Sequence, residues 1–398
     1  MKRLLLVVAL VIMSIGLFAQ ITPYGSARMG FWYENRDKYL NDGENSRLSM
    51  NYFLQSNSRL GVNYRHENFD GRIEMGIGSG FSLRLLYGRQ DFGDWSLLVG
   101  QDVIQGTDFL PNQVGGPPGD LALMEYGVAW GGRVPQVRLE MDNGLFAALL
   151  IPNTANDPAG NLKDEDIDDA IDYLIPRINL GYKIDLGDIK ITPAAVLQYY
   201  NYNKDLAAIK VTRDAWREEE DDNGNMEWKK YDLTKSYFTD QSVLSFIGAV
   251  TAEMNIEPIT LNAQFNIGSN IGNMGYAVNQ RAGWKQEVRE IHDEEERLVD
   301  FVIEDHELLD VLTFGGILTA TYALNPAINI TAGGGYTQSS RDDWDNDDSR
   351  MSVYLQAGLR YGRLRVTPEV GLIDEMKDAN DDKRGSMMYF GTQLRFDF

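Results

Sequence analysis

Arginine is the residue in this chain whose type and spacing most suggest chemistry. Arg28, Arg59, Arg65, Arg72, Arg84 and Arg138 fall on the polar register of alternating segments in the first part of the chain. Arg177, Arg360, Arg363, Arg365 and Arg395 do so in the remainder. A guanidinium stays charged and forks onto a carboxylate or phosphate. A ladder of them along one wall would screen or hold small anions. The competing outcome is pairing with acids on the same registers, Glu74, Glu140, Glu369 and Asp397, so that the arginines only brace the structure.

Other chemistries find little support. The three histidines are His66, His292 and His306, and none has a nucleophile placed beside it. No zinc-ligand spacing and no phosphate-binding glycine loop is present. The chain is therefore expected to be no enzyme and to carry no cofactor and no catalytic metal. The dense acids Asp342, Asp343, Asp345, Asp347 and Asp348 either chelate a divalent cation weakly or form a solvated rim.

The elements that must position the arginines are strands. Leu364, Val366, Pro368, Val370 and Leu372 share one register, and Arg363, Arg365, Thr367 and Glu369 the other. Segments 351–361, 178–185 and 259–268 alternate in the same way. A period of two gives a strand with one apolar and one polar face. The pattern predicts sixteen strands, at 22–36, 52–66, 69–78, 81–90, 93–101, 134–142, 144–152, 173–185, 188–202, 238–254, 258–269, 308–324, 327–338, 350–361, 363–373 and 385–398.

Their connections alternate between short and long. The short ones, such as Asp142–Gly144, Leu186–Gly187, Asn325–Pro326 and Gly362, are rich in turn residues. The long ones lie near 37–51, 102–133, 153–172, 203–237, 270–307, 339–349 and 374–384. Ser79–Gly80 is the exception, short where a long loop is due. Within the long loops, Val288, Ile291, Leu298, Phe301 and Val302 suggest a short helix over 286–308. A sandwich has no reason to put short turns at one end and long loops at the other. A transmembrane antiparallel β-barrel does, with short periplasmic turns and long external loops.

Composition agrees with an exported all-β protein. The chain has 398 residues, no cysteine and a formal net charge of −22. That balance argues against nucleic acid as a partner. The acids concentrate in the long loops, with Glu218–Asp222 five in a row. Lys2 and Arg3 followed by the apolar run Leu4–Phe18 and Ala19 predict a signal peptide over 1–19, and a barrel domain over 20–398. The last segment sets Met388, Phe390, Thr392, Leu394, Phe396 and Phe398 on one register, and a terminal aromatic there is the sort of signal read by barrel assembly machinery.

Several runs carry a family resemblance. Leu83-Arg84-Leu85-Leu86-Tyr87-Gly88 leads to Gly93-Asp94-Trp95 and Leu98-Val99-Gly100-Gln101. Arg133-Val134-Pro135-Gln136-Val137-Arg138 is followed by Asp142-Asn143-Gly144-Leu145. With the layout, these resemble the sixteen-stranded general porin superfamily, and within it the DcaP-like porins. The motifs are specific over about 81–150, and the N-terminal heptads of some DcaP-like proteins are missing.

The resemblance implies a passive channel of the bacterial outer membrane for small hydrophilic solutes. It also implies a homotrimer in contact with lipid and lipopolysaccharide. It makes 102–133 a candidate constriction loop carrying Asp102, Asp108, Asp120 and Glu125, facing a basic wall of Arg28, Arg59, Arg72, Arg84, Arg138, Arg360, Arg363, Arg365 and Arg395. The solutes then expected are small organic anions. A closed adhesive surface barrel and, more remotely, a barrel hydrolase are the other readings of the same layout.

Overall fold

The computed structural model describes residues 20–41, 45–78, 80–109, 111–115, 126–153, 171–202, 208–220, 226–238, 241–276 and 281–398. The expected signal peptide lies outside these residues. The wall starts with β1 (Gln20–Arg36), then β2 (Arg47–Leu54) and β3 (Arg59–His66). β4 (Phe69–Gly76), β5 (Ser82–Asp91), β6 (Trp95–Val103), β7 (Arg133–Met141) and β8 (Leu145–Leu150) follow. β9 (Ile171–Asp172), β10 (Arg177–Tyr182) and β11 (Ile184–Asp185) precede the long β12 (Ile189–Tyr202). β13 (Ala208–Glu220) and β14 (Met226–Phe238) leave the wall as a separate hairpin. β15 (Ser242–Ile256) and β16 (Ile259–Ser269) return to it. A second separate hairpin is β17 (Gly283–His292) with β18 (Leu298–Leu309). β19 (Leu312–Asn325), β20 (Ile328–Ser340), β21 (Asp348–Tyr361), β22 (Leu364–Asp374) and β23 (Ser386–Asp397) complete the wall.

The wall pairs antiparallel throughout, neighbour to neighbour. β2 with β3, and β9 with β10 and β11, each make one crossing, so the 19 wall segments form a sixteen-strand barrel. It closes where Ser26–Arg36 of β1 pairs with Met387–Asp397 of β23. Closure leaves no backbone edge to satisfy, which is what lipid demands. The apolar register faces outward, as β23 shows. Met388, Phe390, Leu394 and Phe396 are exposed, while Met387, Tyr389 and Gln393 on the alternate register are buried.

One strand expectation and one helix expectation change in detail. The strand expected at 52–66 is broken at 55–58, where Ser58 N–H donates to Gln55 O at 3.0 Å. This tight turn folds Gln55, Asn57 and Ser58 into the interior. The helix expected over 286–308 is instead the hairpin β17–β18. Its register slips between Glu287 and Val288 and again between Ile291 and His292. The extra residues, Glu304 and Val299, lie on β18, and the one at Val299 lets Leu298 and Phe301, three apart, share a face. The β-branched Val288, Ile291, Val302 and Ile303 favour the extended form.

Candidate functional site

The described parts of the loop between β6 and β7 run inside the barrel. Ile104 is fully buried, and Thr107 Oγ1 lies 3.2 Å from the Tyr276 hydroxyl. Asn112 Nδ2 donates to Thr331 Oγ1 on β20 at 3.2 Å, and Gln356 Nε2 on β21 donates to Asn112 O at 3.1 Å. The N–H groups of Val114 and Gly115 donate to the Glu369 carboxylate on β22 at 2.9 and 2.8 Å. Gln55 Nε2 donates to Val114 O at 2.7 Å, so the turn between β2 and β3 is a further anchor. On the return, Gly127 N–H donates to Thr337 Oγ1 and Ala129 N–H to Gln264 Oε1, both at 2.6 Å.

The wall is bare where the loop presses on it. A Cβ on Gly127 would sit 2.1 Å from Gly316 O, and one on Gly335 would sit 1.9 Å from Tyr126 O. Gly127 also has φ +98°, a left-handed conformation that only glycine adopts without strain. Around this contact Trp32, Tyr126, Val128, Trp130, Ile317, Tyr354 and Tyr389 pack into an apolar cluster inside the barrel.

Between this loop and the short-turn end lies a chamber of about 600 Å³. Pro326 and Ala327 of the β19–β20 turn line it at one side, and Asn112, Gln113 and Val114 of the loop at another. Among the described residues its charged lining is all arginine: Arg28, Arg59, Arg84, Arg133, Arg360, Arg365 and Arg395. Four of these follow one another across four adjacent strands. Arg360 is directly opposite Arg365, Arg365 opposite Arg395, and Arg395 opposite Arg28. Like charges directly opposite in a sheet are destabilising, so such a row needs compensation.

Compensation is partial and comes from behind. Asp397 takes Arg395 at 2.7 Å and Arg365 at 3.1 Å. Glu74 takes Arg84 at 2.7 Å and Arg59 at 3.3 Å. Arg360 Nε donates to Gly362 O, and Arg28 Nε to Ser26 Oγ, both at 3.3 Å. Arg133 lies over the Trp130 ring at 5.2 Å. Among the described residues, seven guanidiniums of the lining meet two carboxylates, which gives this part of the chamber a positive excess.

The remaining expected site residues stand elsewhere. Arg72 is held behind the chamber by Glu74 and the Tyr24 hydroxyl, each at 2.8 Å. Arg138 is buried between Asp102 at 2.8 Å and Glu140 at 2.7 Å, so Arg138 and Asp102 satisfy each other. Arg363 occupies the two-residue turn between β21 and β22, outside the strand register, where it is exposed and is not part of the chamber lining. Asp108 accepts the N–H of Gly106 at 3.1 Å and also stands apart from the lining. Asp120 and Glu125 lie outside the described residues. The described loop thus offers the chamber amides and Trp130 but no carboxylate. Glu369, expected as an arginine partner, instead holds the loop backbone.

Sequence reading missed Arg133, the carboxamides and the Gln55–Ser58 turn. The signal for the loop contact was there in part: Gly315-Gly316 and Gly333-Gly334-Gly335 leave adjacent strands without side chains. At the long-loop end, Asp348 is gripped by Arg384 at 2.6 Å. Among the described residues no three acids or histidines converge on a metal site.

Fold and register define a transmembrane barrel of the outer-membrane type. Solved structures with the same fold include DcaP, an outer membrane channel of Acinetobacter baumannii, at 14% identity and TM-score 0.58, covering 96% of this chain and 98% of that one. The anion-selective porin from Comamonas acidovorans matches at 11% identity and TM-score 0.55, over 96% and 100% of the two chains. OmpT of Vibrio cholerae, in trimer form, matches at 15% identity and TM-score 0.53, over 96% and 99%. At these identities the likeness is one of fold. No protein-family description and no curated protein sequence matches the chain.

Proposed function

We propose that this protein is a porin of the bacterial outer membrane, a passive channel for small hydrophilic solutes that favours small organic anions. One observation carries the reading: a chamber of about 600 Å³ inside a closed barrel whose charged lining, among the described residues, is entirely arginine. Fixed charges at a narrow place are how diffusion channels discriminate. The loop over 102–133 acts as the constriction, held by Glu369 and by wall amides. Arg28, Arg59, Arg84, Arg133, Arg360, Arg365 and Arg395 line the path, while Arg72, Arg138 and Asp102 act as braces. The chain is exported through residues 1–19, assembled through its last strand ending at Phe398, and surrounded by lipid and lipopolysaccharide. A homotrimer fits the trimeric form of a similar barrel. The reading assigns no catalysis and no cofactor.

A second reading has its own observation. The hairpins β13–β14 and β17–β18 stand off the wall and lock together, with Arg297 over the Trp228 ring at 3.8 Å and Lys235 paired with Asp300 at 2.6 Å. Such a rigid surface element suits an adhesive barrel. Single-channel recording of the refolded protein separates the two. Conductance in triplet steps with an anion-selective reversal potential is expected. A folded barrel that conducts nothing would leave only the surface reading, and cation selectivity would transfer control to the acidic loops.

A further inference from the structure

The lining arginines form a continuous arc and not scattered points. Arg360, Arg365 and Arg395 stand directly opposite one another on β21, β22 and β23. Neighbouring strands lie about 5 Å apart. Further round the wall, Arg59 of β3 feels the charge of Arg395 on one side and of Arg84 on the other. Arg133 of β7 in turn feels the charges of Arg84 and Arg59. The arc is open to the chamber that it lines. The side chains of Arg365, Arg395 and Arg59 are 46%, 29% and 25% exposed, and Arg360 is exposed as well.

Acids are few along this arc. Among the described residues Asp397 is the carboxylate paired within the first three arginines, and it holds Arg365 and Arg395. Glu74 is divided among Arg59, Arg84 and Arg72. Each group of three guanidiniums is therefore left with two positive charges in excess. A single carboxylate fills one guanidinium fork, so a monoanion or a dianion leaves part of the arc bare. A concave wall of one sign also concentrates its potential toward the centre. We infer that the chamber is a retention site for a compact polyanion, with three or more negative charges on neighbouring atoms, which occludes the channel to smaller anions. This rests on the channel reading above and adds to it a solute that is held and not passed. A chamber of about 600 Å³ has room for one such molecule. Tricarboxylates and condensed phosphates share this chemistry.

The test compares tricarballylate with glutarate. Both carry a carboxylate at each end of the same three-carbon chain, and tricarballylate has one more on the central carbon. The full-length refolded protein is recorded in a planar bilayer, above neutral pH, where every carboxylate is ionised. Block of the chloride current reads occupancy. Tricarballylate is expected to block at about tenfold lower concentration, because its further charge meets two or more guanidiniums. Pyrophosphate is expected to block as well, and whichever of the two polyanions acts at lower concentration identifies the favoured head group.

Arg365→Gln and Arg395→Gln are each expected to raise the half-blocking concentration of tricarballylate about fivefold and that of glutarate less than twofold. Lys190→Gln removes a positive charge from β12, outside the lining, and should leave both unchanged. The open-channel conductance of each variant reports that it has folded. Equal block by tricarballylate and glutarate in a channel with an anionic reversal potential overturns this inference and leaves the channel reading intact. So does a Lys190 variant that weakens the block as much as the arginine variants do, because the preference then belongs to overall charge and not to the arc. A barrel without anion preference overturns both.

Discussion

Arg365 and Arg395 face each other across paired strands and share a single carboxylate, Asp397. Replacing either by glutamine should cut the anion-to-cation permeability ratio by up to about fivefold, since a unit charge at 4 Å is worth about 1 kcal/mol in water. Reversal potentials in a salt gradient measure it. Glu74 has the opposite role. It is 1% exposed and takes Arg59, Arg72, Arg84 and the Tyr24 hydroxyl. Glu74→Gln should destabilise the barrel by about 2 kcal/mol, the cost of weakening hydrogen bonds to three partly exposed guanidiniums, and should raise anion preference. Denaturant unfolding and reversal potential read the two effects separately. Most of the arginine wall was legible because alternation assigns each strand residue a face. Arg363 was misassigned because a turn residue obeys no such rule. Arg133 was missed because it stands at the first position of β7, where loop geometry and not strand register aims the side chain.

Elements decide where the loop goes. The carboxylate of Glu369 is the shared acceptor for two loop N–H groups, and Glu369→Ala leaves both without a partner. Open-channel current noise should increase as residues 111–115 loosen, and cleavage of the loop by added protease should become faster. Gly335→Val should displace the same loop by steric conflict with Tyr126 O and raise the conductance. At the other end of the barrel, Asp37 ties the loop after β1 to the start of β23. Its Oδ1 accepts the N–H groups of Tyr39 and Leu40 at 3.0 Å each, and its Oδ2 accepts that of Ser386 at 2.8 Å. Partial burial alone would raise the Asp37 pKa, but these donors outweigh it and hold it below the ordinary aspartate value. Its stabilising contribution is therefore complete above the ordinary aspartate range and is lost as pH falls through the lower folded value. Amide exchange at Leu40 and Ser386 should accelerate only there, and Asp37→Asn should remove that dependence. Strand number and short turns were legible from periodicity. The hairpin at 283–309 was not, because its apolar residues, among them Leu298 and Phe301 across a bulge, fall three apart as they would on a helix.

Charge over the whole molecule opposes charge in the chamber. The chain carries −22, concentrated in the long loops, while the lining is cationic. The loops act at a distance and the arginines at contact. The Debye length falls from about 30 Å at 0.01 M salt to about 10 Å at 0.1 M. Over that range the association rate of an anionic solute added on the loop side should rise as repulsion by the rim is screened, while its dissociation rate changes less. Blocking kinetics at several salt concentrations test this. Net charge and loop position were readable from composition, but the balance between near and far fields was not, because it depends on which acids fold inward. Among the described residues none reaches the chamber lining.

The pairing of β1 with β23 also sets an order in time. The strand that opens the wall has its partner more than 350 positions later in the chain. Until that segment exists, both margins of the growing sheet carry unpaired backbone groups that invite misassociation. Intermediate lengths therefore offer no stable stopping point. A nascent chain of this design has to be kept unfolded until β23 has been made, because only that strand closes the wall.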